Sequence, residues 1–169
     1  MDYRDKLLTQ PDLFHLNAAS GWLGLGDLVS ANDELKQIST AMRKHPAVLL
    51  AQCEIFFAAK QWTPLLAMTG TLLQQFPKLD FIWINRSYAL HELNRTQEAF
   101  DALLPAAKKF PKEWLIRYNL ACYSSQLGQV NAAMKLLKQA IRLADNKEIK
   151  AMALEDPDLK PLWKEIMSI

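Results

Sequence analysis

The densest set of side chains able to do chemistry lies in one short stretch: Asn85, Tyr88, His91 and Glu92. Offsets of three and four place Asn85, Tyr88 and Glu92 on one face of a helix, with His91 three residues beyond Tyr88. An imidazole near a carboxylate is the pairing that general acid–base catalysis uses. Nothing else in the chain supplies a nucleophile or oxyanion donors, so the cluster reads as ligand contact or as solvated helix surface, and no catalytic residue is assigned. The histidines His15, His45 and His91 form no HxxxH pair and have no cysteine at ligand spacing, which argues against a metal site. Gly21-Trp22-Leu23-Gly24-Leu25-Gly26 holds three glycines but precedes no strand-to-helix junction, so close packing and a turn explain it better than a phosphate loop. No cofactor is expected.

The elements that must carry these side chains announce themselves through a repeat of 34 residues. Small residues recur at Ala19, Cys53, Ser87 and Ala121. Twelve residues beyond each come Ala31, Leu65, Ala99 and Ala133, followed by Leu35, Thr69, Leu103 and Leu137, and then by Ile38, Leu72, Ala106 and Ala140. Turn formers sit between the first two registers, at Gly26-Asp27, Lys60-Gln61, Asn94-Arg95 and Gly128-Gln129. Apolar spacing within each unit is helical, so each unit predicts two antiparallel helices joined by a short turn. The expected starts use Thr63-Pro64 as a cap followed by proline, and Ser30 with Asp33 as a capping box. No run of alternating β-branched residues appears, and the fold class is all-α. Pro105 falls inside a helix, where a kink is expected.

A helix–turn–helix of this length, with a small residue in the first helix and alanine opening the second, resembles the tetratricopeptide repeat. The fourth unit, Tyr118 to Ile141, carries the best match, and the third matches at Trp83, Ala99 and Pro111. The second departs most, with Leu65 in the small position and Thr69 in a large one. The resemblance implies an α-α superhelix of about four hairpins. Its boundaries are an extension over 1–11, repeats over 12–145 (12–45, 46–79, 80–113 and 114–147) and capping helices over 146–169. Leu159, Leu162, Trp163 and Ile166 suit a lid on the last unit. Cys53 and Cys122 then lie two units apart, roughly 20 Å, too far for a disulfide.

In this family the first helices of successive units line a concave surface, so the resemblance implies a peptide groove. Carried across, that groove holds Asn17, Leu50, Glu54, Phe57, Phe81, Ile84, Asn85, Tyr88, His91, Glu92, Tyr118, Asn119, Cys122 and Gln126, with Leu16, Leu23 and Ala51 beside them. Asn17, Asn85 and Asn119 hold equivalent places and would form an amide ladder toward an extended ligand. The Lys and Arg of the family's carboxylate clamp are replaced by Leu16, Ser20, Ala51, Phe81 and Asn85, which argues against a heat-shock cochaperone.

The expected partner is therefore a protein or peptide, and the chain a non-enzymatic adaptor or scaffold. Two alternatives stay open: a groove filled by residues 1–10 or by a second copy, giving a homo-dimer or larger oligomer, and a chaperone similar to the translocator chaperones of type III secretion. Composition sets the remaining bounds. Lys+Arg 20 against Asp+Glu 18 leaves a net charge of +2, which disfavours nucleic acid. No stretch approaches 18 apolar residues, which disfavours a membrane span. Two cysteines behind a start that lacks a basic-then-apolar leader suggest a reduced, cytoplasmic setting.

Overall fold

A computed structural model describes residues 7–144 and 147–168. Among these residues every regular element is helical. In chain order they are α1 (Asp12–Gly24), α2 (Leu28–Gln37), α3 (Pro46–Ala58), α4 (Trp62–Gln75), α5 (Asp80–Glu92), α6 (Thr96–Lys109), α7 (Trp114–Gln126), α8 (Val130–Ala144) and α9 (Lys147–Glu155). A 3-10 helix, Pro157–Leu162, and α10, Trp163–Met167, follow. The first helices of the four hairpins start at Asp12, Pro46, Asp80 and Trp114, each 34 residues after the last.

The turn inside each hairpin shows why the period is kept. Gly26, Lys60, Asn94 and Gly128 all have positive φ, at 78°, 54°, 60° and 75°. The amide of each bonds back three residues, and the next amide bonds back five: Gly26 to Leu23 and Asp27 to Trp22, then Lys60 to Phe57 and Gln61 to Phe56. Asn94 to His91 with Arg95 to Leu90, and Gly128 to Ser125 with Gln129 to Ser124, complete the set. This is the Schellman arrangement, which satisfies two orphan carbonyls at a helix end and needs one left-handed residue. Only one residue later the next helix begins, with Ala31, Leu65, Ala99 and Ala133 donating the first bonds to Asp27, Gln61, Arg95 and Gln129. Both expected start signals shift accordingly. Asp27, not Ser30, caps α2, its carboxylate accepting the Ser30 amide at 3.0 Å and the Ser30 hydroxyl at 2.7 Å. Helix α4 opens at Trp62, which puts Thr63 in its first turn instead of at the cap.

All four apolar registers are interior. Ala19, Cys53, Ser87 and Ala121 are buried, as are the alanine-or-leucine set twelve residues on and both later sets, Thr69 included. The polar Thr69 fits because its hydroxyl donates to the Leu65 carbonyl at 2.8 Å. Burial also drives the Cys53 thiol up to about 12, so it behaves as a small apolar group.

Two compact units divide the chain, Met1–Leu72 and Leu73–Ile169. In the first, Ala19, Ala31, Leu35, Ile38, Met42, Val48, Ala51 and Ile55 form a core, with Leu8, Leu16 and Leu23 packed on it. Of the residues expected on a groove, Ala51 is thus in the core of this unit, and Leu16 and Leu23 are half-buried against it. Asp12 ties the end of α2 to the start of α1, accepting the Ser39 amide and hydroxyl at 2.7 Å each. Of the N-terminal segment expected to fill the groove, residues 1–6 lie outside the described residues.

In the second unit α6 runs through Pro105 without interruption, the proline and its neighbour Leu104 being exposed. Trp83 of α5 donates its indole N–H to the Pro77 carbonyl at 3.1 Å and carries the Lys109 ammonium 5.4 Å above its ring. Arg117 of α7 binds the α6 end through the Ala107 carbonyl at 3.0 Å. Beyond α9, the chain turns at Asp156-Pro157 into the 3-10 helix, and Leu159, Leu162 and Ile166 have no exposed surface. Trp163 is half-buried and donates to the Ala153 carbonyl at 3.1 Å.

Candidate functional site

The site belongs to the second unit, where α5, α7 and the segment Asp156–Leu162, here called the strap, meet. Helices α5 and α7 are joined at Ser87 and Tyr123, whose hydroxyls lie 3.2 Å apart, and the His91 and Tyr123 ring centroids are 5.0 Å apart. Ser87 is the small residue of the repeat, so the approach follows from the register. Tyr118, Cys122 and Ser125, at offsets of four and three, share one face of α7.

Asp156 organises the strap. One carboxylate oxygen caps the 3-10 helix by accepting the Asp158 amide at 2.9 Å. The other accepts the Tyr118 hydroxyl at 2.8 Å and the Cys122 thiol at 3.4 Å. Asp158 meets His91, with Nε2 donating to Oδ2 at 2.9 Å, while His91 Nδ1 lies 3.0 Å from the Thr96 hydroxyl. The Gln126 amide donates to the Asp158 carbonyl at 3.0 Å.

The electrostatics of this junction follow from burial and from the carboxylates of the strap. Burial, reinforced by Asp156, pushes the Cys122 thiol far above its ordinary range, so it stays protonated and donates. Tyr118 is raised by burial and by its acidic surroundings, and Tyr88 by burial and by Glu92. His91 is held above its usual value by the Asp158 hydrogen bond, against the opposing effect of burial. The ligand atoms of Cys122, Asp156 and Asp158 lie within 4.8 Å of one another, close enough to surround a cation. Their oxygens already accept from Tyr118, Cys122, His91 and the strap's own backbone.

The residues expected along the groove fall into three groups. Asn17, Glu54 and Phe57 of the first unit are exposed and Leu50 is half-buried; the Phe57 ring lies edge-on to Trp62 at 5.7 Å. On α5, Phe81, Ile84, Asn85, Tyr88 and His91 are half-buried and Glu92 is exposed, as is Gln126 on α7. Tyr118, Asn119 and Cys122 are not open to a partner: they retain 4%, 9% and 4% of their surface. The strap bonds to the Tyr118 and Cys122 side chains, and Asn119, one rung of the expected amide ladder, is buried. Sequence reasoning misses Asp156 and Asp158. Asp156-Pro157 registers as a helix breaker, yet aspartate followed by proline is also the signature of a capped helix start.

The arrangement defines a helix-hairpin repeat protein whose C-terminal segment closes its last hairpin. Residues 116–147, which carry most of α7 and all of α8, match the family model for the tetratricopeptide repeat. Solved structures agree on the fold. TTC0263, a thermophilic tetratricopeptide protein of Thermus thermophilus, superposes with a TM-score of 0.70 at 19% identity, over 94% of this chain and 100% of that one. MamA (41-end) from Desulfovibrio magneticus RS-1 gives 0.73 at 14% identity over 96% of each chain. A tetratricopeptide repeat protein from Parabacteroides merdae ATCC 43184 gives 0.70 at 20% identity, over 95% of this chain and 67% of that one. No curated protein sequence matches the chain.

Proposed function

We propose that this protein is a non-enzymatic interaction module that holds a segment of a protein partner against the α5 face of its second unit. One observation carries the reading. The α5 and α7 faces grip a turn of polypeptide, the strap, through a hydroxyl, a thiol, an imidazole and an amide. On the same helix α5, Asn85 and Tyr88 add a half-buried amide and hydroxyl, and Glu92 an exposed carboxylate. Half-apolar faces with amide and hydroxyl donors suit an extended or amphipathic helical segment. The raised thiol and phenol pKa values support a binding role over catalysis. Two buried free cysteines fit a reducing, cytoplasmic setting. Among the described residues no helix is long and apolar enough to cross a membrane.

The test is affinity capture from lysate with the full chain and with Asn85→Ala plus Tyr88→Ala. Partner recovery should fall sharply while the melting temperature stays close to that of the parent. Unchanged recovery would remove α5 from the binding surface. A second reading, that the inner face is filled by the chain itself, is favoured at α7 by the strap, and it predicts that no substitution on α5 alters capture.

A further inference from the structure

We infer that the segment received by α5 is cationic as well as amphipathic, which rests on the reading that α5 presents a binding face. Three carboxylates gather at the C-terminal end of that face. Glu92 comes from α5 itself, and Asp156 and Asp158 come from the strap. All three act on the Tyr88 hydroxyl and on the His91 ring. Glu92 is exposed and the Asp158 side chain keeps 33% of its surface, so the negative charge reaches solvent. His91 faces them, and its ring is already engaged by Asp158 and Thr96. One turn and two turns back along the same helix from Tyr88, Ile84 and Phe81 are half-buried and apolar. A Lys or Arg placed over the carboxylates, with apolar side chains three to seven residues away resting on Ile84 and Phe81, satisfies both halves of the surface. An acidic segment meets like charge on the same ground.

Fluorescence anisotropy with the full chain separates the two. The probes are a dye-labelled amphipathic helical peptide of Leu and Lys, the same peptide with Glu for Lys, and a third with Ser for Lys. The Lys peptide should bind roughly tenfold more tightly than the Glu peptide at low salt and lose that advantage at high salt. Glu92→Gln should weaken the Lys peptide by about three- to tenfold. Asp101→Asn, an exposed acid on α6, should leave it unchanged. Equal or tighter binding of the Glu peptide, or indifference to Glu92→Gln, overturns the charge assignment. If Tyr88→Ala still weakens the Ser peptide, the binding face itself stands. If Tyr88→Ala changes the binding of no peptide, the face falls together with the inference.

Discussion

Leu162→Ala against Asp158→Asn decides what holds the strap down. Leu162 has no exposed surface, and shortening it removes roughly three methyl or methylene groups, about 2.4 kcal/mol of transfer free energy. The cavity left behind raises the cost to about 3 kcal/mol, inside the range of buried leucine truncations. Asp158→Asn breaks an ion pair whose side chains keep 15% and 33% of their surface, while the backbone carbonyl that receives Gln126 is untouched. A pair so placed contributes about 1 kcal/mol or less. Apolar anchoring should therefore win by about a factor of three. In urea denaturation followed by circular dichroism, a slope near 1.5 kcal/mol/M converts these costs to midpoint shifts of about 2 M and about 0.7 M or less. If Asp158→Asn lowers the midpoint as far as Leu162→Ala, the strap is a polar latch, and the packing argument is wrong.

Three further outcomes follow from other positions. His91 has a folded pKa raised above its usual value near 6.5, so its pairing stabilises the protein fully below that pH and fades as pH rises through the folded value. Stability measured from acid to mildly alkaline pH should therefore decline more in the parent than in His91→Gln, and parallel curves would refute the coupling. Asp27→Ala removes the cap that binds the Ser30 amide and hydroxyl and should lower the midpoint of chemical denaturation, whereas no loss would mean that the backbone turn alone defines the start of α2. Lys60→Gly should stabilise by a few tenths to about 1 kcal/mol, because Lys60 sits at φ 54°, and Gly128→Ala should destabilise by about 1 kcal/mol from φ 75°. Equal signs for the two in thermal melts would contradict the left-handed requirement.

The hairpins are legible in the sequence because burial is periodic. Ala19, Cys53, Ser87 and Ala121 differ in chemistry but share a size limit, and the size limit recurs every 34 residues. The turns are legible through Gly26, Asn94 and Gly128, residues that tolerate positive φ; Lys60 is readable only by its phase. Helix starts are misjudged at Ser30 and Thr63 because the Schellman turn leaves a single residue between its left-handed position and the next helix, and local capping patterns do not reveal that economy. The site is half legible. Spacing on α5 brings Asn85, Tyr88 and Glu92 onto one face, and the apolar lid of Leu159, Leu162 and Ile166 is visible as a pattern. That Asp156 and Asp158 turn back onto Tyr118, Cys122 and His91 depends on contacts 38, 34 and 67 residues apart, which no local pattern encodes.

The single left-handed residue in each turn restricts how this molecule can change its length. Adding one amino acid to a first helix rotates everything after it by about 100°, carrying the small residue off its neighbour and the turn out of position. Gains or losses of a whole 34-residue block preserve every angle. Variation among descendants of such a chain should come in whole hairpins, with shorter insertions confined to the connections between them.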